Sequence, residues 1–374
     1  MTLQPPIRLL ARGMQQTRIA GHFVPLYALV ILSVSLYPFS GWRWPNQPVW
    51  AFLGYTLPYY KTPLDDTLNI LAYVPLGASL LLSLRQRLHP VPALALAWLL
   101  PSQLSFSIET LQVFLPTRVA SNLDIFNNSS GALLGAIGAW LLAAKPIMHR
   151  LAVLRHSWFR DGTHVDYGLV VIALWFITQL DPSIPLFGVI VPPHGLPQPF
   201  DAPISDPSLF LRTLEGLNAG LNLLTLSLLL TVLLAQRRFM VRGIAILITL
   251  TLLLKLALAG MLLKPFALFQ WLNWPIAIGL LSGILLLPLL LRLRRRWRAL
   301  LTVLALCFNL IVDALWPLRE TPLSALKLFR WSGQQLLNFN GMAHTIADIW
   351  PFLALLFLLR YFQLERARQG KTWL

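Results

Sequence analysis

Long apolar stretches, broken at intervals by short polar, proline-bearing or arginine-bearing connections, run through almost the whole chain. A helix needs about 20 mostly apolar residues to cross the hydrocarbon of a bilayer, where no water can satisfy a stray backbone amide. Ten stretches qualify: residues 21–39, 66–84, 91–112, 125–144, 167–184, 214–235, 242–262, 272–292, 299–317 and 343–362. The fifth is interrupted near its end by Gln179, Asp181 and Pro182. The pattern predicts an all-α fold, a polytopic transmembrane helical bundle of about ten spans. Three connections on one side are longer and rich in proline and tryptophan: SGWRWPNQPVWAFLGY, DPSIPLFGVIVPPHGLPQPF and PLRETPLSALKLFRWSG. Tryptophan and tyrosine favour the headgroup level, so short interfacial or re-entrant helices capping the outer face are expected, with plain loops the alternative for the second tract.

Composition removes the soluble alternatives. Of the 374 residues, 56% are hydrophobic and 12% charged, against about 45–50% and about 25% in a soluble domain. Too little polar surface remains to coat a water-facing globule. The net charge of +16 would suit nucleic acid only on a solvated basic surface. Here the basic residues sit in short turns between apolar runs, so no nucleic-acid partner is expected. Alternate connections carry 21 of the 30 Lys and Arg, including Arg8, Arg85, Arg150, Arg237 and the run Arg292 to Arg298. Positive residues are retained on the cytoplasmic side, which places both termini there and makes the first apolar run an uncleaved span. Little chain is left on that side for a cytoplasmic catalytic domain. The lone Cys307 excludes an intramolecular disulfide and, inside an apolar run, is expected to be buried and inert. No P-loop, GxSxG, HExxH or CxxC signature occurs, so no cofactor is implied.

Ionisable and amide side chains inside a span are costly and mark function or tight pairing. They gather in the first third of the chain. Glu109 and Gln112 share a helix face; Pro116 ends that helix and Arg118 follows in the turn. Asp124 precedes the fourth span, with Asn127 and Asn128 one turn on, and Gly131 and Gly135 form a GxxxG face for close packing. Asp65, Asp66 and Asn69 stand at the opening of the second span. On the expected topology all of these lie in the outer half of the membrane. Together they make either a ligand pocket, with Arg118 gripping a phosphate or carboxylate bidentately, or an ion-pair and amide network tying helix ends together.

The pattern E-x-x-Q-x-F-x-P-x-R, then S-x-x-D-x-x-x-N-x-x-G-A-x-x-G, with DDTLNILAYVPLG upstream, resembles the VanZ-like family of bacterial membrane proteins over residues from about 25 to 145. The resemblance implies a bacterial cytoplasmic (inner) membrane location. It makes Asp65 or Asp66, Asn69, Glu109, Gln112, Arg118, Asp124, Asn128 and Gly131 signature positions. Some relatives carry Asp-Lys-x-x-His at the second span; this chain lacks both the lysine and the histidine there. The family's founding association, low-level glycopeptide resistance, implies action on the cell envelope without naming a reaction.

A degenerate internal repeat is expected: a four-helix unit over 1–150, a copy over 151–298 in which EGLNAGLNLL and WPIAIGLLSGILL echo the second and fourth spans, and a two-helix half unit over 299–374. Secondary candidates are His344 and Asp348, one turn apart on the last span, though two ligands make no metal site, and none is assigned. Lys255 is expected to be the most buried charge, snorkelling or paired with a residue such as Asp313, in a structural role. Membrane lipids are the expected partners. The favoured activity is binding or moving an anionic amphiphile, a lipid-linked envelope intermediate or a phospholipid. The alternatives are an intramembrane enzyme with Glu109 or Asp124 as general base, or a non-catalytic envelope scaffold.

Overall fold

Apolar runs bounded by prolines and arginines become helices in the computed structural model, which describes residues 19–36, 39, 41–54, 63–143, 146–188, 206–316, 326–330 and 334–370. The helices are α1 (Ile19–Leu36), α2 (Pro63–Leu84), α3 (Pro90–Gln112), α4 (Asn122–Ala143), α5 (Pro146–Trp158), α6 (Thr163–Thr178), α7 (Pro207–Leu233), α8 (Phe239–Leu262), α9 (Trp274–Leu291), α10 (Arg295–Leu315) and α11 (Gln334–Gly370). No β-strand occurs among the described residues. Nine of these helices are long and apolar enough to cross a membrane. The protein is an all-α polytopic bundle.

Three local features depart from the expected spans. The fifth span ends early: α6 has 16 residues, about 24 Å at 1.5 Å per residue, against about 30 Å of hydrocarbon. A second departure is α5, 13 residues on the arginine-rich side where a plain connection was expected. Among the described residues of the outer tracts, Ala51–Gly54 and Leu326–Leu328 each form a single 3-10 turn, and a third such turn, Pro265–Ala267, lies in the connection ahead of α9. Most of the second tract lies outside the described residues.

The chain divides into two compact units. The first takes its described residues from within Met1–Ser157, Asp161–Val170 and Gly333–Thr345, the second from within Trp158–Arg160, Val171–Ser332 and Ile346–Leu374. In the first, α2 and α4 run parallel in backbone contact. A Cβ added at Gly131 or Gly135 would strike the carbonyls of Ile70 and Val74, and one at Gly77 the carbonyl of Ala132. Glycine is required there because nothing larger allows that approach. Arg155 of α5 and Asp166 of α6, both buried, form an ion pair at 2.6 Å.

In the second unit, α7 packs against α9 and α10. The interrupted span turns inward: residues 181–188 are all buried though not helical. Irregular backbone survives in such a setting when protein groups satisfy it. Lys255, wholly buried in α8, donates from Nζ to the carbonyls of Asp181 and Ile184. Asn222 donates to the Phe187 carbonyl at 3.0 Å, and the Leu186 amide donates to Trp271 at 2.9 Å. Lys255 thus replaces the missing helical donors; its bonds go to the 181–184 turn, and the acidic residue within its electrostatic reach is Asp181, where Asp313 is the example the sequence suggests. Arg298, inside the arginine run, is 2% exposed and donates to the Met240 sulfur at 3.1 Å. Cys307 is exposed on α10 and not buried; an apolar helix face turned to lipid exposes a thiol as readily as a leucine.

Candidate functional site

Three helix ends meet in the first unit: the start of α2, the end of α3 and the start of α4. Pro63 opens α2, where its missing amide costs nothing. The turn after α3 folds back on itself, with the Leu115 amide bonded to Gln112 and the Arg118 amide to Leu115, both at 2.9 Å. The Ser121 amide, just ahead of α4, donates to Glu109 Oε2 at 2.8 Å. Glu109 therefore holds the turn against α3 and satisfies an orphan amide at the next helix. Asp124 sits in the first turn of α4, where the helix dipole favours a negative charge.

Above the glycine contact, α2 and α4 exchange amide–carboxylate hydrogen bonds. Asn69 of α2 donates to Asp124 Oδ1 at 2.9 Å, and Asn127 of α4 donates to Asp66 Oδ1 at 2.7 Å. Asn128 reaches the third helix, donating to Ser105 Oγ at 2.9 Å, and its own Oδ1 is buried without a partner. Tyr73, also buried, hydrogen-bonds Ser105. Glu109, Asp124, Asn127 and Asn128 are each at most 8% exposed.

Two further side chains from the cluster close the end of α1. Gln112 donates to the Ser35 carbonyl at 2.9 Å and Arg118 to the Val34 carbonyl at 3.1 Å. These carbonyls belong to the last turn of α1 and lack intrahelical donors, and a cation there is favoured by the dipole. Burial pushes the half-buried Arg118 guanidinium below its usual pKa, yet arginine stays charged at any physiological pH. Residues 41–54 pack over this end. The Arg43 amide bonds the Phe114 carbonyl at 3.0 Å, Trp44 meets Phe114 edge-on, Trp50 stacks on Phe106, and Asn122 donates to the Leu53 carbonyl at 3.3 Å.

Asp66, Asn69, Glu109, Gln112, Arg118, Asp124, Asn127 and Asn128 accordingly lie at one end of one four-helix packing, above Gly131 and Gly135. The side chains of Asp65 and His344 lie outside the described residues. Asp348 is exposed. Among the described residues no group of three or more His, Cys, Asp and Glu is placed to hold a metal.

Sequence reasoning missed Ser105 and Tyr73, which form the floor of the cluster; single hydroxyls within an apolar run carry no spacing signal. It also left unused the Glu215, Asn218, Asn222 series on α7, whose helical spacing was visible. Asn273, the N-cap of α9, donates to Glu215 at 2.8 Å, Asn222 to Asn218 at 2.9 Å, and Asn309 to Asn222 at 2.8 Å. In this second unit Gly216 and Gly220 approach the backbone of Pro275 and Gly279. The pairing of a glycine contact with an amide–carboxylate bond above it thus occurs in both units.

Residues 15–143 match the family model VanZ/LLP1, the segment that holds every helix of the cluster. No curated protein and no solved structure matches the chain. The chain is a multi-pass integral membrane protein with a VanZ-like first segment.

Proposed function

We propose, from the premise that a VanZ/LLP1-type segment carries the cluster, that this end of α2, α3 and α4 binds and orients or moves the headgroup of an anionic amphiphile, a lipid-linked envelope intermediate or a phospholipid. The chain sits in the bacterial inner membrane with both termini cytoplasmic. The observation that supports this most is the Asn128 carbonyl oxygen. It is an acceptor buried without a partner beside the amides and carboxylates at this end of the helices, a placement that costs about 1–3 kcal/mol unless something else supplies the donor. A hydroxyl or amine of a headgroup would supply it, and Arg118 beside the turn would hold the anion. Glu109 and Asp124 each already accept from an N–H, of Ser121 and Asn69. That suits recognition better than proton abstraction, which needs a free carboxylate lone pair aimed at substrate.

The test is native mass spectrometry of the gently extracted full chain, with Arg118→Ala and Asn128→Leu as variants. Both are expected to retain one fewer co-purifying anionic lipid than the parent protein, with Arg118→Lys recovering part of it. Unchanged lipid retention in both variants would sink the reading.

A further inference from the structure

A second binding feature lies wholly in the second unit, away from the VanZ-like segment. Between α7 and α9 runs a groove of about 510 Å³. It exists because glycines 216, 220, 279 and 283 let the two backbones close on each other, which leaves the flank of the contact without side-chain bulk. Its walls are apolar: Leu217, Leu221 and Leu224 on α7 face Ile278 and Leu286 on α9. The two hydroxyls in the wall are spent on their own helices, Thr213 on the Leu209 carbonyl and Ser282 on the Ile278 carbonyl, each at 2.8 Å. Water needs two or more polar partners to occupy a cavity, and between the mouth and Leu224 this wall offers only these two separate hydroxyls, their hydrogens already donated.

We infer that the groove holds one acyl chain of an anionic phospholipid, with the lipid phosphate on Arg212. Arg212 is exposed at the mouth and is the one charged residue of the lining. It stands at the opposite end of α7 from the arginine-rich turn at Arg237 and Arg238. The neighbouring Glu215 accepts from Asn273 through Oε1 and lies within electrostatic reach of Arg212, whose exposed guanidinium lines the mouth where a phosphate would sit. Trp274 lies at the same mouth, 82% exposed, a residue that favours the headgroup level.

The dimensions select the occupant. From Arg212 to Leu224, and from Trp274 to Leu286, is twelve positions each, about 18 Å of helix and close to the depth of one leaflet. Carbon–carbon bonds of about 1.5 Å at about 111° advance roughly 1.25 Å each, so about 14 carbons span that length. Spread over it, the volume corresponds to a cross-section of roughly 30 Å², far below the roughly 80 Å² of a helix about 10 Å across. A slot of that width suits a single hydrocarbon chain better than the full breadth of a helix from a second copy.

The test uses the full-length delipidated protein in detergent, titrated in native mass spectrometry with phosphatidylglycerols of 8, 14 and 18 carbons, with phosphatidylcholine, and with glycerol phosphate. The whole series is repeated in Arg118→Ala, so that the first-unit reading and this one fail separately. Affinity is expected to climb from 8 to 14 carbons and level off by 18, in the parent protein and in Arg118→Ala alike. Arg212→Gln is expected to cost about fivefold for phosphatidylglycerol and nothing for phosphatidylcholine, the share of one arginine at a membrane surface. Ser282→Phe, which fills the groove from its lipid-exposed side, displaces three or four methylenes and is expected to cost on the order of a hundredfold. Should that variant fold poorly, the chain-length series in Arg118→Ala decides alone. Binding that ignores chain length, glycerol phosphate competing as well as lipid, or a concentration-dependent dimer that takes the place of lipid would each overturn the proposal.

Discussion

Adding one methyl group to α4 tests whether the polar cluster depends on backbone contact. In Gly131→Ala the new Cβ would lie far inside van der Waals contact of the Ile70 carbonyl, and in Gly135→Ala of the Val74 carbonyl. Neither neighbour is the end of a flexible side chain, so the helices themselves must part, by about 1 Å or more. The Asn69–Asp124 bond at 2.9 Å and the Asn127–Asp66 bond at 2.7 Å would then exceed the useful range of about 3.2 Å. Overpacking strain of about 1–3 kcal/mol and two interhelical bonds at about 0.6 kcal/mol each oppose a gain of about 1 kcal/mol for alanine over glycine in a helix. The net expected loss is about 1–3 kcal/mol per substitution. Gly138, on the same helix, has nothing within 4 Å of an added Cβ, so Gly138→Ala is expected to be neutral or to stabilise by up to about 1 kcal/mol. The assay is reversible unfolding in mixed micelles by titration with a denaturing detergent. If alanine at 131 proves as harmless as alanine at 138, the inferred contact between α2 and α4 is wrong.

Three other perturbations are expected to have defined outcomes. Arg155→Ala removes the guanidinium that pairs with the buried Asp166 and should cost about 3–5 kcal/mol in the same unfolding assay, while Arg155→Met with Asp166→Leu recovers most of it; an equally unstable double variant would contradict the buried pair. Lys255→Met strips the donor from the buried carbonyls of Asp181 and Ile184 and should cost about 1–3 kcal/mol. In the parent protein Lys255 should resist amine-reactive reagents until unfolding, as followed by peptide mass mapping. Cys307, exposed on an apolar helix face, should react in membranes with a lipid-soluble maleimide and not with a charged one, and labelling by the charged reagent would place that face in water.

Much of the fold was legible because the bilayer imposes a single strong rule. The helices at 19–36, 90–112, 122–143 and 239–262 coincide with apolar runs to within a few residues, since a segment in hydrocarbon must satisfy its own backbone whatever its neighbours do. The rule fails where protein replaces lipid. The stretch around Gln179 to Pro182 reads as a marred span; in the structure it is an inward turn whose carbonyls are served by Lys255, a residue some seventy positions away that no local pattern could have nominated. The 13-residue α5 was overlooked because it is too short to span and carries its arginines on the side where connections collect them.

The cluster divides in the same way. Local spacing placed Glu109 with Gln112 and Asp124 with Asn127, and the GxxxG of Gly131 and Gly135 announced a close helix contact. Which helix receives that contact is a matter of three-dimensional packing: α2 offers the carbonyls of Ile70 and Val74, and so Asp66 and Asn69 find Asn127 and Asp124. Arg118, readable only as a cation in a turn, spends one nitrogen on the last turn of α1. Ser105 and Tyr73 enter from apolar faces without a motif. By itself the chain determined its membrane class, its helices and the polar residues that must avoid lipid, because those follow from local hydropathy and from the reach of a few residues along one helix. The pairing of those residues across helices, the carbonyls that Lys255 serves and the groove beside Arg212 came from the tertiary structure alone, because each depends on how closely two backbones approach.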